Sequence, residues 1–162
     1  MNPFLTGANQ FSPTFTIANM IAFANSRPCL DTGSPDLCNN VQFGLNQPGN
    51  IGTFDSAIDA EIGQVWNATF SGFNSLSPGL FIASTASANL PFGGATLLVD
   101  LASQVAIAPV FSGVTGDGIV AVAIPNNPAL IGFTVFSQVG VQNSAFSTGF
   151  ALSNGLEITF CD

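Results

Sequence analysis

The sequence predicts an all-β protein, a β-sandwich of jelly-roll or immunoglobulin-like kind with about ten strands and an N-terminal extension strand. Three observations predict it. The Glu, Lys, Gln, Arg and Leu that fill helix surfaces are sparse. Gly, Pro, Asn and Ser break the chain about every 8–12 residues. The runs between the breaks are short and rich in Val, Ile, Phe and Thr, the side chains that suit a pleated surface.

Taken in order, the first strand is residues 11–23 (FSPTFTIANMIAF), long and uncharged, with Phe11, Phe15, Ile17, Ile21 and Phe23 on one face. Residues 41–45 form a short strand. Residues 64–70 (QVWNATF) alternate, Val65, Asn67 and Thr69 on one face and Trp66, Ala68 and Phe70 on the other. Strands follow at 79–85, at 95–99 (continuously apolar, hence central), at 104–111, at 118–124 and at 131–141. Pro109 marks 104–111 as an edge or a bulge, because proline cannot donate to a ladder. Residues 148–152 and 156–160 are read as a hairpin across Ser153-Asn154-Gly155, since Asn-Gly is a strong turn signal. Residues 125–130 form a turn or one helical turn, and 56–63 (SAIDAEIG) is the one helix candidate, packing through Ala57 and Ile58. Composition shifts near residue 50, dividing the chain into an extension, 1–50, and a sandwich domain, 51–162.

Charge is the second theme. Nine acidic residues and one base, Arg27, give a net charge of −8, and only 6% of the chain is charged. Soluble domains average about 25%. Lys, His and Tyr are absent, while 47% of residues are hydrophobic, sixteen of them Phe. Such a chain lies in a membrane or has much of its surface covered. No apolar stretch approaches the roughly 18 residues of a spanning helix. Scattered Phe, one Trp and no Tyr do not make the aromatic girdles of a membrane barrel. Cover by neighbouring protein is the expectation. A single Arg cannot serve phosphates, which excludes nucleic acid as a partner. Without His, Lys or a G-x-S-x-G elbow, acid–base chemistry is left to carboxylates alone, so no enzyme and no cofactor is expected.

Cys29 and Cys38 bracket a turn-rich loop, Leu30 to Leu37, and are expected to form a disulfide, which implies an oxidising compartment. Cys161 is left buried and free, paired between subunits, or competing for Cys29 or Cys38. A C-x8-C pair without His is a poor zinc site. The weak calcium candidates are Asp55, Asp59 and Glu61, with Asp31, Asp36 and Asp117 beside them; none has a recognised calcium-loop spacing, and solvated turn residues are the plainer reading. Asp55 and Asp59 would share a helical face four residues apart, where acidic residues in a first turn suit the helix dipole. Asn67-Ala68-Thr69 is the one N-x-S/T sequon and the candidate glycosylation site. Trp66 is a sugar platform or, as a lone Trp in an alternating strand, a core residue. Met1-Asn2-Pro3-Phe4 has neither the basic nor the apolar region of a signal peptide, so the chain is a mature form or starts at Met1.

Several short motifs recur in order: Gly63-Gln64-Val65-Trp66, then Ala95-Thr96-Leu97-Leu98-Val99, then Ile124-Pro125-Asn126-Asn127-Pro128-Ala129-Leu130-Ile131-Gly132, then Gln138, then Leu152-Ser153-Asn154-Gly155-Leu156. In this, residues 61–160 resemble an uncharacterised β domain of secreted proteins from planctomycete-like bacteria. The resemblance implies secretion and a β-sandwich, and little chemistry. Members of that family carry Cys just before TLLV where this chain has Ala95, so their disulfides are not carried over. Residues 1–50 have no counterpart.

The functional expectation is a structural subunit of an extracellular or cell-surface filament, a pilus-like fibre built from copies of itself. Residues 11–23 are its candidate assembly strand, added to the open sheet of a neighbour. A head-to-tail contact that does not close into a ring generates a helical filament. The alternative is a secreted carbohydrate-binding or adhesive module with glycans as partners.

Overall fold

The structure, a computed structural model, describes residues 38–162. The assembly strand at 11–23, Cys29, Asp31 and Asp36 lie outside the described residues. The rest is all-β, as the punctuation of the sequence predicts. In chain order the strands are β1 (Asn39–Phe43), β2 (Asn50–Asp55), β3 (Ala60–Glu61), β4 (Val65–Ser71), β5 (Pro78–Ser84), β6 (Ser87–Phe92), β7 (Ala95–Val99), β8 (Gln104–Phe111), β9 (Gly118–Ala123), β10 (Thr134–Gln142) and β11 (Phe150–Cys161). Short 3₁₀ turns occupy Leu101–Ser103 and Pro128–Leu130. In both, an Asx side chain (Asp100 and Asn127) accepts from a backbone N–H two residues on, the usual way such a turn starts.

The main sheet runs in the order β8-β5-β10-β11-β2-β4-β9. Its two ends, β8 and β9, are consecutive in sequence and joined by the short loop 112–117. The sheet therefore folds over on itself, and its two halves face each other as a sandwich. Alternation decides what lies between them. Trp66, Ala68 and Phe70 of β4 point inward, with Val65, Asn67 and Thr69 outward. Phe54, Trp66 and Phe81 meet edge to face in the centre, their ring centroids 6.1 to 6.4 Å apart. A third layer, the β6–β7 hairpin, covers the outer face of β5, β10 and β11 through Leu97, Val99 and Leu152. That is why every residue of β7 is buried.

β11 is the pivot. It pairs antiparallel with β10 along one edge; along the other it meets β2, β1 and β3 in turn. The expected hairpin at Ser153-Asn154-Gly155 is absent: the strand runs straight through it. Three local facts explain the misreading. The Ser153 hydroxyl accepts from Val139 N–H and donates to Asn154 C=O, patching a bulge in the β10 ladder. The Asn154 amide takes both backbone groups of Phe54, accepting from its N–H at 2.7 Å and donating to its C=O at 2.9 Å. Gly155 serves packing, since a Cβ there would fall inside the Phe43 ring.

Four further corrections follow. Residues 56–63 form no helix; they hold turns and the two-residue β3. β2 and β6 were not foreseen. β1, assigned by composition to the extension, is part of the sandwich. The disulfide joins Cys38 to Cys161, across 123 residues of sequence with Cα atoms 5.2 Å apart, so Cys38 is not the partner of Cys29. Strand register is the reason: β1 runs antiparallel along β11 with Asn39 opposite Thr159, which brings Cys38 level with the end of β11.

Candidate functional site

Buried backbone groups need partners, and the two sides of the sandwich meet that need differently. On the β7 side, amide side chains stand in for a missing strand. Asn50 accepts from Thr96 N–H at 2.8 Å and donates to the carbonyls of Thr96 and Ser153, both at 2.9 Å. Gln138, 2% exposed, accepts from Leu98 N–H at 2.9 Å and donates to the carbonyls of Thr96 and Ser153 at 3.1 and 2.8 Å. Gln138 thus makes three bonds inside an apolar layer, which the motif around it does not announce.

The other side is open. Among the described residues β8 pairs only with β5 and β9 only with β4, and no ladder joins the two. They lie close at the loop between them, where buried Ser112 accepts from Ser77 N–H and donates to Asn74 C=O. The core then runs out through the gap. The inward residues of β8, Ala106, Ala108 and Val110, are exposed or half-buried, while those of β5 beside it, Phe81 and Ala83, are buried. A cavity of about 380 Å³ opens there, bounded by Val105 and Ala106 of β8, Val122 of β9, and Phe133 and Phe160. Of the side chains lining it, Trp66 alone carries a hydrogen-bonding group. Trp66 is 2% exposed, and its Nε1–H has no acceptor.

The outward faces of these edges are apolar too. Val105, Ile107 and Phe111 on β8 and Ile119 on β9 are each more than half exposed. Every charged side chain among the described residues is acidic, so no Lys guards the edge in the way natural edge strands are usually blunted. Pro109 does sit on an edge strand, as its chemistry requires.

The sequence-predicted sites disperse. Trp66 is in the core and cannot act as an exposed sugar platform. Asn67 points outward from the middle of β4 with its side chain exposed. Asp55 closes β2 and accepts from Ser56 N–H; Glu61 lies in β3. The structure does not gather Asp55, Asp59 and Glu61: among the described residues no group of three or more His, Cys, Asp or Glu could hold a metal ion. Asp117 contributes its backbone carbonyl to the β8–β9 loop, accepting from Gly113 N–H at 2.7 Å. No helix among the described residues is long and apolar enough to cross a membrane.

Sequence reasoning missed Asn50, Gln138 and Asn154 as ladder substitutes, and it missed the gap itself. One signal was available for the gap. Residues 104–111 are apolar on both faces and carry a proline, which is odd for a central strand and apt for an edge that something covers. No family model matches the chain, and no match is found among curated proteins or solved structures.

Proposed function

We propose that the protein is a structural subunit of an extracellular filament or pilus-like fibre, with no catalytic role, assembling through its own sheet edges. The observation that supports this is the open side of the sandwich: two strands whose outer edges have no partner among the described residues, apolar on both faces, with no charged side chain in either strand. An edge of this kind is a template for another strand. A charge content of 6% accords with a surface that spends its life against protein. The Cys38–Cys161 disulfide suits an oxidising, extracellular setting, and the resemblance of residues 61–160 to secreted β domains points the same way.

Electron microscopy of the protein taken from its native source tests the reading. Regular filaments are the expected result. Dispersed 16.6 kDa monomers overturn it.

A further inference from the structure

We infer that Asn67 carries an N-linked glycan, attached on the outer face of β4. The inference goes beyond the fibre reading and does not need it: a glycosylated monomer would keep the glycan and lose the fibre.

The fold gives Asn67 little to do. Asparagine is depleted in strands. Asn50 and Asn154 are in strands because their amides bind backbone groups at 2.7 to 2.9 Å. The Asn67 amide makes one bond, from Nδ2 to the carbonyl of Val65 at 3.4 Å, outside the range of about 2.7–3.2 Å for a good N–H···O bond. Its Nδ2 is therefore barely held, in mid-strand, on the solvent side.

The spacing of the sequon fits this strand. Modification needs a hydroxyl two residues after the asparagine, and positions two apart in a strand share a face. Asn67 and Thr69 both point outward and are exposed, while Ala68 between them is buried. Register leaves room for a sugar. On one side Asn67 lies opposite Ala121, a small outward residue of β9. On the other side the β2 ladder ends with Asp55 opposite Thr69, so it places no residue across from Asn67. The surroundings give a glycan something to cover. Val65, 55% exposed, precedes Asn67 on the same face, and Ile119, 66% exposed, lies opposite Thr69. The three strands β2, β4 and β9 carry one charged side chain, Asp55, and sugar hydroxyls would hydrate the face they form.

The donor class is a lipid-pyrophosphate-linked oligosaccharide. Nδ2 attacks its anomeric carbon. The N–C1 bond forms, the bond from C1 to the pyrophosphate oxygen breaks, and the lipid pyrophosphate leaves. One amide proton passes to a base of the transferase. The Cys38–Cys161 disulfide suits the exported, oxidising setting in which such a transfer takes place.

The test is mass spectrometry of the protein from its native source. Glu61 and Glu157 are its two glutamates, so cleavage after glutamate releases residues 62–157 with Asn67 near one end. The expected result is a fragment heavier than its sequence by whole sugar residues, which fragmentation locates on Asn67. Asn67→Gln and Thr69→Ala chains made in the same cells should each lose the entire increment. The unaltered protein decides the matter even where a variant fails to fold. A bare Asn67 in the native protein overturns the inference, as do sugars confined to Ser and Thr, or an increment that survives Asn67→Gln. Filaments whose subunits carry a bare Asn67 overturn it and leave the fibre standing.

Discussion

The two flanks of the sandwich solve one problem in opposite ways. On the β7 flank, backbone groups of β7 and β11 are met by the side-chain amides of Asn50 and Gln138. On the β8–β9 flank no such substitutes exist among the described residues. The edges stay unpaired, the core thins, and an indole N–H is left without an acceptor. The difference teaches that completeness is local. A chain that seals one buried layer with two amides leaves the strands of another side without such a seal.

The comparison can be broken or sharpened by substitution. The largest effect is expected from removing the covalent tie between the start of β1 and the end of β11. The double variant Cys38→Ser, Cys161→Ser should lose about 4 kcal/mol of stability, the entropy of a very long loop, read as a lower denaturant midpoint. Next comes Gln138→Met, which keeps the volume, strands the Leu98 N–H and leaves the carbonyls of Thr96 and Ser153 with their Asn50 bonds alone. It should cost about 2 kcal/mol, and a loss below about 0.5 kcal/mol would show that the amide stitch is ornamental, collapsing the contrast. Trp66→Phe on the open flank should cost no more than about 1 kcal/mol, because the donor it deletes has no partner to strand; thermal unfolding measures it. Smallest for stability is Ile107→Lys on the exposed face of β8, expected within about 0.5 kcal/mol of the parent. It should nevertheless suppress self-association in sedimentation velocity, since an edge lysine deters strand addition. Unchanged association would place the contact elsewhere.

Much of this fold was legible because period two is a strong signal. Residues 64–70 were read with Trp66, Ala68 and Phe70 on one face, and those three are buried. The uninterrupted run Ala95–Val99 was read as central, and all five residues are buried, though by a hairpin layer and not by flanking strands. What failed was chemistry with two uses. Asn-Gly signals a turn only when its neighbours let the chain reverse; here the asparagine amide replaces a ladder and the glycine makes room for Phe43. β2 was hidden because NIGTFD looks like a loop, and Gly52 is there to admit the Phe73 ring. The disulfide was misassigned because nearness in sequence was taken as the guide when the register of β1 on β11 decides it. The open flank could be suspected from Pro109, but a gap depends on two strands failing to pair, and no single segment encodes that.

The bond between Cys38 and Cys161 also sets how the molecule would behave under tension. β1 alone would peel from β11 one rung at a time, like a zipper pulled from its end. With the sulfur bridge at the start of β1, a pull arriving through the residues before Cys38 passes directly into β11, the strand anchored on both edges. A pull that enters before Cys38 and leaves beyond Cys161 therefore crosses the sulfur bridge and leaves the 123-residue span between the two sulfurs unloaded.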